Sequence, residues 1–216
     1  MREWLDGITW FRGSSVRIRG MGSEVHVDPS GVTEDAEADL ILLTHPHFDN
    51  FSESDIARVR GPNSIVVAPY TMKKQLSDAD HFMRAGDLLQ VDGFDILAVP
   101  AHNLEKRFHA PDDGWLGYVF TVNGTTFYHA GDTDYLPSMA GIRCDIAFLP
   151  CDGHYTMTAE EAVKAAEACG AEVVVPVHWG EPHGSRADVT RLETLFSGEV
   201  WVLERAGNRR EAEGSS

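Results

Sequence analysis

The stretch that most constrains this chain is LILLTHPHFDN, in which the apolar run of residues 40–43 is followed at once by alternating histidines and an acid. A short, continuous apolar run is typical of a strand buried on both faces. In an extended chain His45, His47 and Asp49 would share one face, so they reach a single point only if the chain turns, which Pro46 allows. Imidazole nitrogens and carboxylate oxygens are ligands of Zn²⁺, Mn²⁺ and Fe²⁺. The stretch therefore predicts a metal site at the end of a buried strand.

Three further apolar runs end on residues that can bind a metal. His102 follows DILAVPA, Asp132 follows TTFYHAG, and His178 follows EVVVPV. Strand ends are rigid, and the loops beyond them can direct side chains to a shared point. The spacing by itself supports a metal site at converging strand ends and says nothing about the reaction.

The rest of the chain alternates strands with single helices. ITWF, SSVRIR, EVHVD and DLILLT read as strands, followed by the helix SESDIARVRG, the strand SIVVAP and the short helix YTMKKQL. The dipeptides at 92–93 and 123–124, Asp-Gly and Asn-Gly, predict a strand pair and a hairpin. In the last third, the strands DIAFLPCD, EVVVPVHWG and EVWVLE alternate with the helices TAEEAVKAAEACG and SRADVTRLETLF. Two packed sheets with helices outside satisfy this order.

The 216 residues are enough for one domain with a large core, which we expect over residues 1–204, with a polar, frayed tail over 205–216. The net charge of −16 argues against nucleic acid or an anionic membrane as a partner. No apolar run is long enough to span a membrane, and no signal peptide is recognisable. The three cysteines are odd in number and widely spaced, which favours reduced thiols in a cytoplasm. A small-molecule substrate fits best, and homo-oligomer formation is left open.

The motifs resemble those of a known superfamily. THPHFDN is similar to the T-H-x-H-x-D-H motif of metallo-β-lactamase-fold hydrolases, and PAHN, HAGDTD and VPVHWG follow in the family's order. The resemblance runs from ITWF to EVWVLE. DLILLTHPHFDNFSESDI, YHAGDTDYLPSM and YTMTAEEA look most like small metal-dependent hydrolases related to ascorbate-phosphate lactonases and the N-acyl-phosphatidylethanolamine phospholipase D group. The resemblance implies an α/β (α+β) fold, a four-layer αββα sandwich with the metals at one edge between the sheets.

The resemblance also implies roles for the predicted ligands. One or two zinc ions are expected, with manganese or iron as alternatives. The first metal would be held by His45, His47 and His102, and the second by Asp49, residue 50 and His178. Asp132 would bridge the two, and Asp49 and Asp132 would orient the attacking water and transfer its proton.

The chain departs from the family motif at Asn50, where the family has histidine. A carboxamide is a weaker ligand than imidazole for these metals. Three consequences are open: a mononuclear site, a preference for a harder ion such as Mn²⁺, or replacement by another histidine. His154 is the first candidate for that replacement, and His109 and His183 lie in loops expected to border the site.

A second departure is Arg12-Gly13, where relatives tend to carry Gly-His, and Arg12 could meet an anionic substrate such as a phosphate. Loops that follow the strands are expected to supply the substrate contacts. The predicted substrate-binding residues are Asn103, Tyr155, Trp179 and His183, with Asn103 also orienting His102.

Three functions are compatible with these features. The first is a metal-dependent hydrolase acting on an ester, a lactone or a phosphodiester. The second is a mononuclear Fe(II) oxygenase on the same fold, and the third is a degenerate, non-catalytic metal-binding module.

Overall fold

Two β-sheets pack against each other in the computed structural model, which describes residues 1–180, 182 and 184–206. The first sheet has the order β1-β2-β3-β4-β5-β6 and the second the order β13-β12-β11-β10-β9-β8-β7. The strands of the first sheet are β1 (Ile8–Arg12), β2 (Ser15–Gly20), β3 (Ser23–Val27), β4 (Ala38–Leu42), β5 (Arg60–Pro69) and β6 (His81–Met83). Those of the second are β7 (Leu88–Val91), β8 (Phe94–Pro100), β9 (Leu116–Val122), β10 (Thr125–His129), β11 (Ile146–Pro150), β12 (Val173–Val177) and β13 (Glu199–Val200).

Three of the four described helices cover the outer faces of the sheets, whereas Trp4 and Leu5 of the first helix pack into the core between them. The helices are α1 (Arg2–Asp6), α2 (Glu53–Val59), α3 (Ala159–Cys169) and α4 (Arg186–Leu195), with 3₁₀ turns at Tyr70–Lys74, Pro111–Asp113 and Pro137–Gly141. One apolar core lies between the two sheets. A second packs α2 against the first sheet, and a third packs α3 and α4 against the second. Three cores separate four layers, so the predicted αββα sandwich is confirmed.

The apolar run before the first histidine shows how the layers arise. In and just after β4, Leu40 and Leu42 point into the core between the sheets, whereas Ile41 and Leu43 point into the core under α2. All four are fully buried. A strand in the interior of a sandwich needs apolar residues on both faces, which explains why this run does not alternate with polar residues.

The turn and cap chemistry expected from the sequence is present. Asn123 and Gly124 have φ of 49° and 78°, as a type I′ turn requires, and they join β9 to β10. Thr158 accepts a hydrogen bond from the backbone N–H of Glu161, and the Glu161 carboxylate accepts one from the N–H of Thr158. Gly170 ends α3 with φ of 68°.

The secondary structure differs from the sequence prediction in a few short segments and in the last strand. The segment YTMKKQL forms a 3₁₀ turn, and β6 and α1 are present where no element was predicted. EVWVLE keeps strand geometry only over Glu199–Val200. The chain then leaves the second sheet and reaches the first, where the Arg205 side chain donates to the carbonyl of Phe11 and the Ala206 N–H to that of Trp10. The remaining predicted tail, 207–216, lies outside the described residues.

Two further observations concern the length of the helices and the state of the cysteines. Over the described ranges, no helix combines the length and the apolar character needed to cross a membrane. Cys144, Cys151 and Cys169 are buried free thiols.

Candidate metal centre

The loop after β4 turns as the sequence requires. The carbonyl of His47 accepts hydrogen bonds from the N–H groups of Asn50 at 2.9 Å and Phe51 at 2.7 Å. This tight turn brings Asp49 back towards the histidines that precede it. Pro46 lies just before the turn and needs no backbone donor there.

The third imidazole beside His45 and His47 belongs to His109. Among the described residues, the ligand atoms of these three histidines lie within 4.8 Å of one another, and His47 Nδ1 is 3.2 Å from His109 Nε2. His109 is buried with φ of 58°, a rare conformation for a side chain of this size. Asn103 fixes it: its N–H donates to the His109 carbonyl at 2.7 Å, and its side chain donates to the Phe108 carbonyl at 2.9 Å.

His102, predicted to be the third ligand, is placed differently. Its N–H donates to Thr133 Oγ1 at 3.1 Å, and its carbonyl accepts from the Thr133 hydroxyl at 2.9 Å and the Asp134 N–H at 3.1 Å. Its ring Nδ1 faces the Asn103 carbonyl oxygen at 3.3 Å. These hydrogen bonds hold the backbone of His102 against Thr133 and Asp134. The loop that follows places an imidazole beside His45 and His47 only at residue 109. Asn103 accordingly supports His109 rather than His102.

Asp132 occupies the focus of the site. Its Oδ2 lies 3.3 Å from His45 Nε2, 3.3 Å from His178 Nε2 and 3.6 Å from His109 Nε2. Its other oxygen accepts a hydrogen bond from the Ser14 hydroxyl at 2.6 Å. Burial opposes ionisation, but the imidazoles of His178 and His45 outweigh it and hold the pKa of Asp132 well below its ordinary value. A buried carboxylate is therefore available at the centre.

His178 follows β12 in a strained conformation. Its φ is 51°, and its N–H donates to the carbonyl of Gly13 at 2.8 Å. Nε2 points to the centre, 3.5 Å from Asp49 Oδ2, while Nδ1 is 2.7 Å from Asp152 Oδ2. Burial lowers the pKa of His178, but the surrounding carboxylates, Asp132 first, raise it well above its ordinary value. Such a concentration of negative charge attracts a cation.

Asp152 supports the site, although the sequence reading did not identify it. One oxygen accepts the N–H groups of His154 and Tyr155, each at 2.6 Å, and the other accepts the Thr156 hydroxyl at 2.8 Å. A carboxylate held in this way orients the imidazole that it contacts. The available signal was its position, two residues after the end of the apolar strand β11.

His45 is oriented in a comparable way. Its Nδ1 lies 2.8 Å from the hydroxyl oxygen of Thr44, and that hydroxyl donates to buried Asp28. Since the hydroxyl proton goes to Asp28, the Thr44 oxygen accepts from His45 Nδ1–H, and the lone pair of Nε2 faces the centre. Burial raises the pKa of Asp28 to about 7.

Asn50 presents its amide nitrogen to the centre. Its Oδ1 accepts the backbone N–H of Ser14 at 2.9 Å, which fixes the orientation of the carboxamide. Its Nδ2 therefore lies on the inner side, 3.1 Å from Asp132 Oδ2 and 3.2 Å from His45 Nε2. Gly13 has φ of 49°, and a Cβ there would lie a tight 3.2 Å from Asn50 Oδ1, so glycine at residue 13 favours the close approach of the loop that bears Ser14.

The donor set fits a divalent cation. Ligands of a tetrahedral zinc at about 2.0–2.1 Å are roughly 3.3–3.4 Å apart. The separations of 3.2 Å between His47 and His109 and of 3.3 Å between His45 and Asp132 agree with that value. Burial lowers the pKa of His47 and brings that of His109 to about 4, so both rings are neutral and able to bind a metal. Mixed nitrogen and oxygen ligands suit zinc, manganese or iron.

The centre opens into a cavity of about 420 Å³. Phe48, at 79% exposure, stands at its rim. The lining residues are His47, Phe48, Asp49, Phe108, His109, Asp132, Tyr155, His178 and Pro182.

The other predicted site residues have different positions. Tyr155 lines this cavity, whereas Trp179 lines a neighbouring one. His154 is exposed and its ring packs on Tyr155, with a centroid separation of 4.4 Å. His183 lies outside the described residues.

Comparison with known proteins identifies the family of the chain. Residues 7–178 match the family model described as the beta-lactamase superfamily domain. The chain belongs to the metallo-β-lactamase superfamily. It is 33% identical over 198 residues to the UPF0173 metal-dependent hydrolase of a Geobacillus species, covering 80% of this chain and 84% of the relative. It is 36% identical over 161 residues to the one from Thermococcus kodakarensis, covering 68% and 69%.

A solved structure supports the same assignment. A protein from Parabacteroides distasonis described as a metal-dependent hydrolase superposes with a TM-score of 0.82 at 28% identity, covering 92% of each chain. The protein is thus an enzyme of the metal-dependent hydrolase class, and the resemblance found in its motifs is confirmed.

Proposed function

We propose that this superfamily member hydrolyses a small ester, lactone or phosphodiester at the centre around Asp132. The observation that carries the proposal is the convergence of three imidazoles on Asp132 Oδ2, with His47 and Asp49 on the wall of an open cavity. We assign the first ion to His45, His47, His109 and Asp132. Asp49 and His178, which also approach Asp132, form the second half of the centre.

A bound divalent ion supplies a water of lowered pKa and neutralises the negative charge that develops on the substrate. Asp49, on the wall of the cavity, would be placed to orient a water and to accept its proton. Burial raises the pKa of Asp49, but the hydrogen bond with His178 and the charge of that residue outweigh burial and keep the carboxylate ionised. Asp132 is held in place by Ser14, and His178 by Asp152, so neither has to reorganise during the reaction.

The orientation of Asn50 favours one tightly bound ion. An amide NH₂ group has no lone pair to offer a metal, and turning the carboxamide would set its nitrogen against the Ser14 N–H. We therefore interpret Asn50 as a hydrogen-bond donor that fixes Asp132. Of the three consequences left open by the sequence, the mononuclear site is the one this contact supports, and exposed His154 has no contact that supports the replacement.

Turnover of model substrates tests the proposal. Protein loaded separately with zinc, manganese or iron is assayed against a p-nitrophenyl ester, a lactone and a p-nitrophenyl phosphodiester, beside a His47→Ala variant. We expect hydrolysis of at least one class that is abolished in His47→Ala. Absence of hydrolysis with all three metals would contradict the proposal, and iron-dependent O₂ consumption would favour the oxygenase instead.

A further inference from the structure

A second cavity, of about 240 Å³, adjoins the metal cavity. The two share Phe48, Asp49 and Pro182. We call it the arginine chamber, and its remaining lining residues are Trp10, Arg12, Gly13, Trp179 and Arg205. A group bound there would be next to the metal centre without touching the three histidines.

Both arginines are anchored by the backbone and keep most of their donors. Arg12 Nη2 donates to the Phe48 carbonyl at 3.0 Å, and Arg205 Nε donates to the Phe11 carbonyl at 2.9 Å. Each guanidinium carries five N–H donors, so most of them remain available on either side chain. The anchoring restricts the side chains and lowers the entropy cost of holding a ligand.

Arg12 and Arg205 both line this one cavity of an acidic protein. The chain has 34 Asp and Glu against 18 Lys and Arg. Within the described ranges, the arginines that form ion pairs are Arg17, Arg19, Arg58, Arg60, Arg186 and Arg191. Arg12 and Arg205, like Arg2, Arg84, Arg107 and Arg143, form no ion pair with a carboxylate of the described residues. Asp49, on the shared wall, directs Oδ2 towards His178 at 3.5 Å. Two cations that have no carboxylate ion-pair partner among the described residues line one cavity, where the only described acidic lining residue is Asp49.

The chamber also has an apolar wall. Trp10 and Trp179 stack with ring centroids 4.9 Å apart and an angle of 22° between their planes. Phe48, which separates the chamber from the metal cavity, is 79% exposed and lies 5.9 Å from the Arg12 guanidinium carbon. An exposed aromatic ring between two cavities is suited to contact with a bound molecule.

We propose that the arginine chamber binds an oxyanion, a phosphate or a carboxylate, carried on an apolar part of the substrate. Planar guanidinium groups match the paired oxygens of these anions, and the aromatic wall accommodates the adjoining apolar part. The assignment of this molecule as substrate rests on the proposed function, because the bond to be cleaved must lie in the metal cavity. Anion binding by the chamber does not depend on turnover.

Isothermal titration of the zinc-loaded protein with phenylphosphonate tests the proposal. We expect Arg12→Gln and Arg205→Gln each to weaken binding at the chamber about tenfold or more, since each removes charge-assisted hydrogen bonds. Arg84→Gln is the matched control, because it removes the same charge at an exposed site against Tyr70. Benzoate and benzyl alcohol distinguish phosphate, carboxylate and purely aromatic recognition, and thermal melting verifies that every variant is folded.

A His47→Ala protein separates the chamber from the metal. We expect this variant to retain the binding that the arginine variants lose. Phenylphosphonate binding that survives Arg12→Gln and Arg205→Gln but disappears in His47→Ala would place the anion on the metal and overturn the proposal. So would the absence of binding at millimolar concentration, or equal binding of benzyl alcohol. If no substrate is hydrolysed but phenylphosphonate still binds through Arg12 and Arg205, the proposed function is wrong and anion binding by the arginine chamber is still supported.

Discussion

The two halves of the metal centre are built from different chemistry. In the first, His45, His47 and His109 bring three nitrogen atoms within 4.8 Å of one another. In the second, His178 contacts both Asp49 and Asp132, but Asn50 directs an N–H group inward. The first half has the donors of a complete site for a divalent ion, whereas the second has hydrogen bonds where a further ligand would be needed. The contrast indicates that one substitution, accommodated by Gly13 and Ser14, can make a paired centre asymmetric.

The largest expected effect distinguishes two histidines of the same loop. His109→Ala removes a proposed ligand, and we expect metal affinity and activity to fall by at least about 100-fold. His102→Ala is the matched control and should change both by less than about threefold, because its ring does not reach the cluster. Metal content after dialysis, with steady-state kinetics, checks both variants. A larger loss of metal affinity and activity in His102→Ala than in His109→Ala would indicate that His102 is the ligand and would refute the assignment of His109.

A smaller effect is expected in the second half of the centre. Asp152→Asn keeps the shape of the side chain but removes the negative charge 2.7 Å from His178 Nδ1. Loss of such an orienting partner costs about 10–100-fold in activity or metal affinity. His154→Ala should be nearly silent, because that ring is exposed. If His154→Ala loses metal while Asp152→Asn does not, His154 completes the second half and the mononuclear interpretation is wrong.

The smallest effect concerns stability near, but outside, the ligands. Gly131 N–H donates to His129 Nδ1 at 3.2 Å, and His129 Nε2 donates to the Ser14 carbonyl at 2.8 Å, so the buried ring is held neutral. Burial lowers its pKa from 6.5 to about 4. The unfolded chain therefore binds a proton that the folded chain does not. Stability should fall as the pH is lowered between these values, by up to about 1.4 kcal/mol per pH unit from this group.

Urea unfolding at a series of pH values measures that slope. In His129→Gln the contribution of this group should disappear. The slope of the free energy of unfolding against pH, between pH 6.5 and 4, should then decrease by an amount that corresponds to the uptake of up to one proton on unfolding. A slope unchanged by the substitution would mean that His129 is protonated in the folded state.

The comparison also shows what the sequence could predict. Apolar runs, turn dipeptides and the Thr158 capping box identified most strands and both long helices, because each follows from local chemistry. The sequence could predict that His45, His47, Asp132 and His178 lie close together, because each follows an apolar strand within a few residues. That His109 rather than His102 lies beside His45 and His47 could not be predicted, since the path of a long loop depends on tertiary contacts such as the hydrogen bonds of Asn103. The orientation of Asn50 likewise depends on Ser14, which lies 36 residues away in the chain.

The most direct test of the account is the metal content of protein purified without added metal, measured by elemental mass spectrometry beside an Asn50→His variant. We expect about one tightly bound ion per chain in the natural sequence and about two in the variant, because imidazole offers the lone pair that the amide nitrogen lacks. Two tightly bound ions in the natural sequence would show that Asn50, or another residue, completes the second half, and would contradict the asymmetry inferred from its hydrogen bonds.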